Sequence, residues 1–289
     1  MNTVFEFILW PNCKNNCKFC WQKQQIKEGK QHLLSPSEKA RSIIEVIHFL
    51  QSDKLEYGSH VLLVGGELFD SHEVDTELNC LLQCCIGLMI IGKIDLLYIN
   101  TNLIYKIREK SPLMTFLSTI EEFDLFNRLH FTTSFDLDGR FNEDSKTLML
   151  NNLGILQFRF KKLQSVTNII LTNTTCSAIL NKTFDYLGFE EKYTTHIHPI
   201  PYIELNSELT PERIQIIQTL QYIDSIKPGF IADYLMRMDL NQDKRLYMFD
   251  GSHLVNVSAP LSECGHSSNF KLYTKSHSCF ICDMKEVFE

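Results

Sequence analysis

Across its 289 residues the chain has no apolar run approaching the roughly 18 residues that a membrane-spanning helix needs. Nor does it open with a basic stretch followed by an uninterrupted apolar core, the pattern of a secretory leader. The expectation is a soluble, cytoplasmic protein with no membrane partner. An excess of positive charge is missing as well: the formal net charge is −7 and the pI is near 5.8. Coating of nucleic acid through bulk electrostatics is therefore not indicated, although a local basic groove is compatible with that balance. The stretch Phe158-Arg159-Phe160-Lys161-Lys162 combines aromatic and basic residues, but a solvated loop with two core phenylalanines explains it as well as contact with a phosphate does. Internal repeats and low-complexity tracts are also missing.

What the chain has is enough apolar content, 44% of its residues, to bury one large core or one core with a small appended module. It also has ten cysteines. Disulfide frameworks characterise small secreted domains, whereas clustered cysteines in a larger chain without a leader point to metal binding or redox chemistry.

Six short segments rich in Val, Ile, Leu, Phe and Tyr alternate with longer helical patterns: VFEFILW, HVLLVGG, DLLYINT, LHFTTSF, VTNIILTN and THIHPIP. Such alternation predicts parallel β/α units. The clearest helix is SPSEKARSIIEVIHFLQ, where Ser35 caps, Pro36 suits the first position and Glu38 completes a capping box. Its apolar face is predicted to hold Ile43, Ile44, Val46, Ile47 and Leu50. Further helices are expected in EVDTELNCLLQCCIGLMII, SPLMTFLSTIEEFDLF, DSKTLMLNNLGILQF, CSAILNKTFDYLGF and TPERIQIIQTLQYIDSI. Six pairs at ~30 to 40 residues each fit within residues 1–225 as an open, partial (β/α)6 barrel of the TIM type. The pattern changes near Lys227-Pro228-Gly229. A C-terminal extension over residues 226–289 is expected to hold a hairpin turning at Asp250-Gly251, followed by the remaining cysteines.

In parallel β/α folds, chemistry collects on loops beyond the C-terminal ends of strands. Cys13, Cys17 and Cys20, in CKNNCKFC, occupy that position after the first strand. Short cysteine spacings of this kind hold iron–sulfur clusters, and three ligands to a four-iron cube leave one iron open. A redox C-x2-C pair, or zinc with a distant histidine, is the alternative for these residues taken alone.

C-x3-C-x2-C with Phe19 before the last cysteine, together with Gly65-Gly66-Glu67 at the end of the second strand, resembles the radical S-adenosylmethionine (radical SAM) superfamily. The resemblance covers roughly residues 1–225, with its specific parts at those two motifs. It implies a [4Fe–4S] cluster on Cys13, Cys17 and Cys20, whose open iron is chelated by S-adenosylmethionine. It also implies that Gly65 and Gly66 leave room for that ligand, that Glu67 accepts from its amino group, and that Phe19 lies near its adenine. The activity implied is reductive cleavage of S-adenosylmethionine to a 5′-deoxyadenosyl radical that takes hydrogen from an unidentified substrate: a nucleotide, a nucleic-acid base or a peptide. An electron donor for the cluster is implied as a partner.

Other polar residues at strand ends are Asn100, Asn102, Ser134, Asp136 and Asn173. Of these Asn102, Ser134 and Asn173 are candidates for contact with the cosubstrate or substrate, against the ordinary use of such residues in turns and caps. Cys176, near a helix start where the dipole lowers a thiol pKa, is the candidate catalytic residue, against burial as a small core residue. Cys80, Cys84 and Cys85 are expected to pack inside a helix. His196 and His198 alternate along the sixth strand, where structural histidines are commoner than metal ligands. In the tail, Cys264, His266, Cys279 and Cys282 form a set suited to zinc or to an auxiliary iron–sulfur cluster, with His277 a less well placed ligand. The alternative to an enzyme is a zinc-binding module that binds a partner without turnover.

Overall fold

The computed structural model describes residues 3–15, 17–18, 20–29, 31–138, 142–201, 209–238 and 244–257. All six expected strands form: β1 (Val4–Ile8), β2 (Ser59–Val64), β3 (Ile94–Asn100), β4 (Leu129–Phe135), β5 (Ser165–Leu171) and β6 (Thr195–Pro201). They are parallel neighbours in sequence order, as right-handed β/α crossovers dictate.

Strand periodicity divides the sheet into two faces. One carries Phe5 and Phe7 of β1, Val61 and Leu63 of β2, Ile99 of β3 and Phe131 of β4, all fully buried. In register, Phe7 faces Leu63, Leu63 faces Ile99, and Ile99 faces Phe131. The ring of Phe49 lies edge-on to Phe5 and Phe7, with centroids 5.5 and 5.2 Å away. The opposite, inner face is more polar. Glu6, Leu62, Tyr98 and His130 form one row across β1 to β4, and Ser134, Asn168 and His198 form another across β4 to β6.

Helix α1 (Trp21–Lys27) follows the cysteine loop and has no counterpart among the expected helices. Helix α2 (Pro36–Gln51) has the predicted capping box: Glu38 N–H donates to Ser35 Oγ at 3.4 Å, and Ser35 N–H donates to Glu38 Oε2 at 2.8 Å. Ile43, Val46 and Leu50 are buried as expected, but Ile44 is exposed, because the 100° step from Ile43 turns it towards water. Helices α3 (Asp75–Ile90), α4 (Pro112–Glu122) and α5 (Glu143–Arg159) fall where patterning put them. The single helix expected in CSAILNKTFDYLGF is two, α6 (Asn173–Leu180) and α7 (Tyr186–Tyr193). Lys182 turns left-handed at φ 58°, and Asp185 starts a new helix by accepting from Gly188 N–H at 2.9 Å.

Helices α8 (Arg213–Ile226) and α9 (Phe230–Met238) complete the series. The Tyr234 hydroxyl of α9 donates to the Pro199 carbonyl of β6 at 3.1 Å. Strand β7 (Lys244–Phe249) then joins the other side of β1, in parallel, and β8 (Leu254–Asn256) folds back on it. The expected turn is present: Asp250 Oδ1 accepts from Ser252 and His253 N–H at 2.7 and 2.9 Å, and Gly251 takes φ +102°. The hairpin is thus not set apart after residue 225. It extends the main sheet to eight strands in an open arrangement rather than a closed barrel.

Candidate functional site

Two loops meet beyond the ends of β1 and β2. Gly66 N–H donates to the Trp10 carbonyl at 2.7 Å, Glu67 N–H to the Asn12 carbonyl at 3.0 Å, and the Trp10 indole to the Glu67 carbonyl at 3.0 Å. Asn12 in turn holds the segment before α2 through both ends of its amide, with Leu34 N–H and C=O at 2.9 and 3.0 Å. The residues carrying Cys13 are therefore fixed against the rest of the fold by backbone contacts.

This contact by itself calls for both glycines. A Cβ on Gly65 would lie 2.8 Å from the Trp10 carbonyl oxygen, and one on Gly66 only 2.0 Å from that of Asn12. What a side chain would invade is the neighbouring loop of the same chain.

Glu67 is also engaged differently. It is 3% exposed, and its carboxylate accepts three hydrogen bonds from its own chain. Oε1 takes Thr101 Oγ1 at 2.8 Å and Phe69 N–H at 3.1 Å, while Oε2 takes Asn102 N–H at 2.6 Å. Burial pushes its carboxyl up to about 7, against the lowering effect of the bonds from Asn102, Phe69 and Thr101. The side chain ties the β2 loop to the β3 loop.

Asn102 sits in the β3 loop, half-buried. Its Oδ1 accepts from Ile104 N–H at 2.7 Å across Leu103, whose φ is 55°, and its Nδ2 reaches Cys13 Sγ at 3.7 Å. Three successive loops are thereby joined: the β1 loop through Cys13, the β2 loop through Glu67 and the β3 loop through Asn102.

Cys13, Cys17 and Cys20 are half-buried. A turn brings Cys20 N–H to the Cys17 carbonyl at 3.3 Å. Burial is the main cause that pushes the Cys13 thiol up to about 11, so without metal it keeps its proton, and a metal must displace that proton on binding. Among the described residues, no three His, Cys, Asp or Glu side chains are close enough to hold a single metal ion. Three thiols on one anchored loop fit an iron–sulfur group by the softness of their sulfur.

The remaining candidates are dispersed. Asn100 and Ser134 end the inner face of β3 and β4, half-buried, while Asp136 just beyond is fully buried. Asn173 opens α6, but Thr172 caps that helix, and Asn173 is tied instead to the chain before α8, donating its N–H to the Leu209 carbonyl at 3.0 Å. Cys176 is fully buried. Its thiol is pushed up to about 11 by burial, partly offset by Thr219, rather than lowered as its place near the helix start suggests. Cys85 is buried and Cys84 half-buried as expected, but Cys80 is exposed. His196 is exposed, and His198 packs 5.5 Å from the ring of Tyr234. His196 and His130 line a cavity of about 620 Å³ with Lys162, Gln164 and Ser165, at the start of β4 to β6 and so at the opposite end of the sheet from the cysteines. Phe19, Cys264, His266, His277, Cys279 and Cys282 lie outside the described residues. Two buried features had no distinct sequence signal: Thr101, which holds Glu67, and Lys39, whose ammonium bonds Ser71 Oγ and lies 5.7 Å from the Trp10 ring centroid.

The fold and these contacts define an open parallel α/β barrel with a cysteine-bearing loop beyond its first strand. The sequence matches no family model and no curated protein. Among solved structures, the chain is similar to native anSMEcpe with bound AdoMet and Cp18Cys peptide, with a TM-score of 0.54 and 11% identity over 87% of this chain and 73% of that one. It is also similar to HydG, a maturase of the [FeFe]-hydrogenase, with a TM-score of 0.45 and 9% identity over 96% of this chain and 61% of that one. At such identities the first likeness establishes a common fold, the partial barrel expected from the sequence.

Proposed function

We propose that the protein is a radical SAM enzyme, with Cys13, Cys17 and Cys20 as the protein ligands of a [4Fe–4S] cluster. The observation that carries this reading is the junction of three loops at Cys13, on a fold shared with a protein solved with bound AdoMet. When bound, the cluster supplies the electron that cleaves S-adenosylmethionine to methionine and a 5′-deoxyadenosyl radical. The chain's own part is positional. Asn12 and Trp10 hold the cysteine loop against β2, Glu67 fixes the β3 loop, and the inner face offers Asn100, Ser134, Asn168 and His198 as hydrogen-bonding groups to an unidentified substrate. An electron donor is the partner this chemistry requires.

The second metal site, Cys264, His266, Cys279 and Cys282, is proposed from the sequence pattern alone, as zinc or an auxiliary cluster. The test is anaerobic reconstitution with iron and sulfide, followed by metal counting and by assay of 5′-deoxyadenosine under dithionite. Four or more irons per chain, with 5′-deoxyadenosine formed from S-adenosylmethionine, support the proposal. Zinc alone at both ends, with no cleavage, supports instead a zinc module that binds a partner.

A further inference from the structure

Asn102 is held on two sides by its own chain. Its backbone N–H is fixed on Glu67 Oε2 at 2.6 Å, and its side-chain oxygen is fixed by Ile104 N–H at 2.7 Å. The second contact settles the orientation of the amide, because an N–H group can face only the oxygen. The NH2 end is therefore the one turned to Cys13, at 3.7 Å from Sγ. A neutral, oriented donor on one thiol is of little use to a cysteine that merely packs. It matters where the sulfur's electron density changes, since hydrogen bonds to ligand sulfurs are among the determinants of iron–sulfur reduction potentials.

We infer that Asn102 is a positioning residue that presents Cys13 to the cluster and, by its N–H···S bond, favours the cluster's reduced state. This rests on the proposed function. One electron enters the cluster from a low-potential donor, represented in the test by dithionite, and no bond forms or breaks at Asn102. The reduced cluster carries more negative charge on its sulfur ligands, so the bond from Nδ2 strengthens on reduction and raises the potential. Glu67 sets the placement of the donor, because it anchors the backbone from which the amide projects.

Two substitutions separate the donor from the turn. Asn102→Ser keeps an oxygen for Ile104 N–H but is too short to reach Cys13. Asn102→Asp keeps the size and that oxygen, and replaces the donor by a charged acceptor. Iron and sulfide are counted first in each reconstituted protein, and the cluster is then titrated with dithionite and followed by its electron paramagnetic resonance signal. The expected result is full loading in all three proteins. At a fixed applied potential the reduced-to-oxidised ratio is about tenfold lower in the Ser variant, a shift of about 59 mV for one electron, and lower again in the Asp variant. If the Ser variant does not keep its fold, the Asp variant decides alone. Potentials equal to that of the original protein overturn the inference and leave the proposed function standing, whereas an original protein that takes up no iron overturns both.

Discussion

Gly66 lies so close to Asn12 that a methyl group in place of its hydrogen would be 2.0 Å from the Asn12 carbonyl oxygen. The obstacle is backbone, already held by Glu67 N–H and by the Asn12 amide, so it cannot swing away as a side-chain tip would. Gly66→Ala must push the two loops apart. A loss of about 1–3 kcal/mol is expected, the range for overpacking a filled site, together with loss of iron binding as Cys13 moves. Gly87→Ala has the opposite sign: Gly87 is inside α3 with nothing near its Cβ position, and a gain of about 0.5–1 kcal/mol is expected. Urea denaturation of both variants, without metal, checks the pair.

Glu67 gives the apoprotein a pH dependence of unusual direction. Its carboxyl is raised in the folded state to about 7 from an ordinary 4.5, so between those values the folded chain binds more protons than the unfolded one. The contribution to stability is therefore greatest below the ordinary value, falls as pH rises through the window, and is flat above about 7. Its full size is on the order of 3 kcal/mol for a group so deeply buried. Glu67→Gln should abolish this slope, while lowering stability overall, because one of its amide ends must face Asn102 N–H or the donors on the other oxygen. Melting curves of both proteins from pH 4 to 8 isolate the term as a difference.

The patterns that were legible in the sequence are those set by local chemistry. The six strands follow from runs of branched and aromatic residues, and the start of α2 from Ser35, Pro36 and Glu38. The cysteine loop was visible as spacing. What was not visible depends on contacts between distant segments. Nothing in GGE says that Gly66 abuts Asn12, fifty-four positions earlier, or that Glu67 turns to Thr101 and Asn102 rather than outwards. The division of the fifth helical stretch at Lys182 is not legible because a left-handed lysine has no sequence mark, although Asp185 is available as a cap. The hairpin was foreseen from Asp250-Gly251, but its pairing with β1 is a long-range choice that a local turn does not record.

That hairpin has a local test. Asp250 Oδ1 takes two backbone N–H groups in the turn that Gly251 makes possible. Asp250→Ala should destabilise the hairpin, because both N–H groups lose their side-chain acceptor. The loss should be confined to the sheet edge. Amide exchange should quicken at Val257, which bonds the Leu246 carbonyl at 2.8 Å, and stay slow at Leu9, which bonds that of Val64 at 2.9 Å between β1 and β2.

Cysteines in this chain divide by burial and by the loops they join, and substitution should reveal the division. Cys13, Cys17 and Cys20 are half-buried thiols on one loop, and Cys13 faces an amide donor. Cys176, on α6, is fully buried with Thr219 as its partner. Cys176→Ala should therefore cost about 1–2 kcal/mol of stability, through a small cavity and a lost hydrogen bond, while leaving iron content and 5′-deoxyadenosine formation unchanged. Cys13→Ala, Cys17→Ala and Cys20→Ala should do the reverse, each changing stability by less than about 1 kcal/mol in the apoprotein and each abolishing the cluster's visible absorption. A Cys176→Ala protein that binds iron normally but forms no 5′-deoxyadenosine would show that the buried thiol acts in the chemistry. Its full burial argues against that outcome, because a buried thiol ordinarily serves core packing.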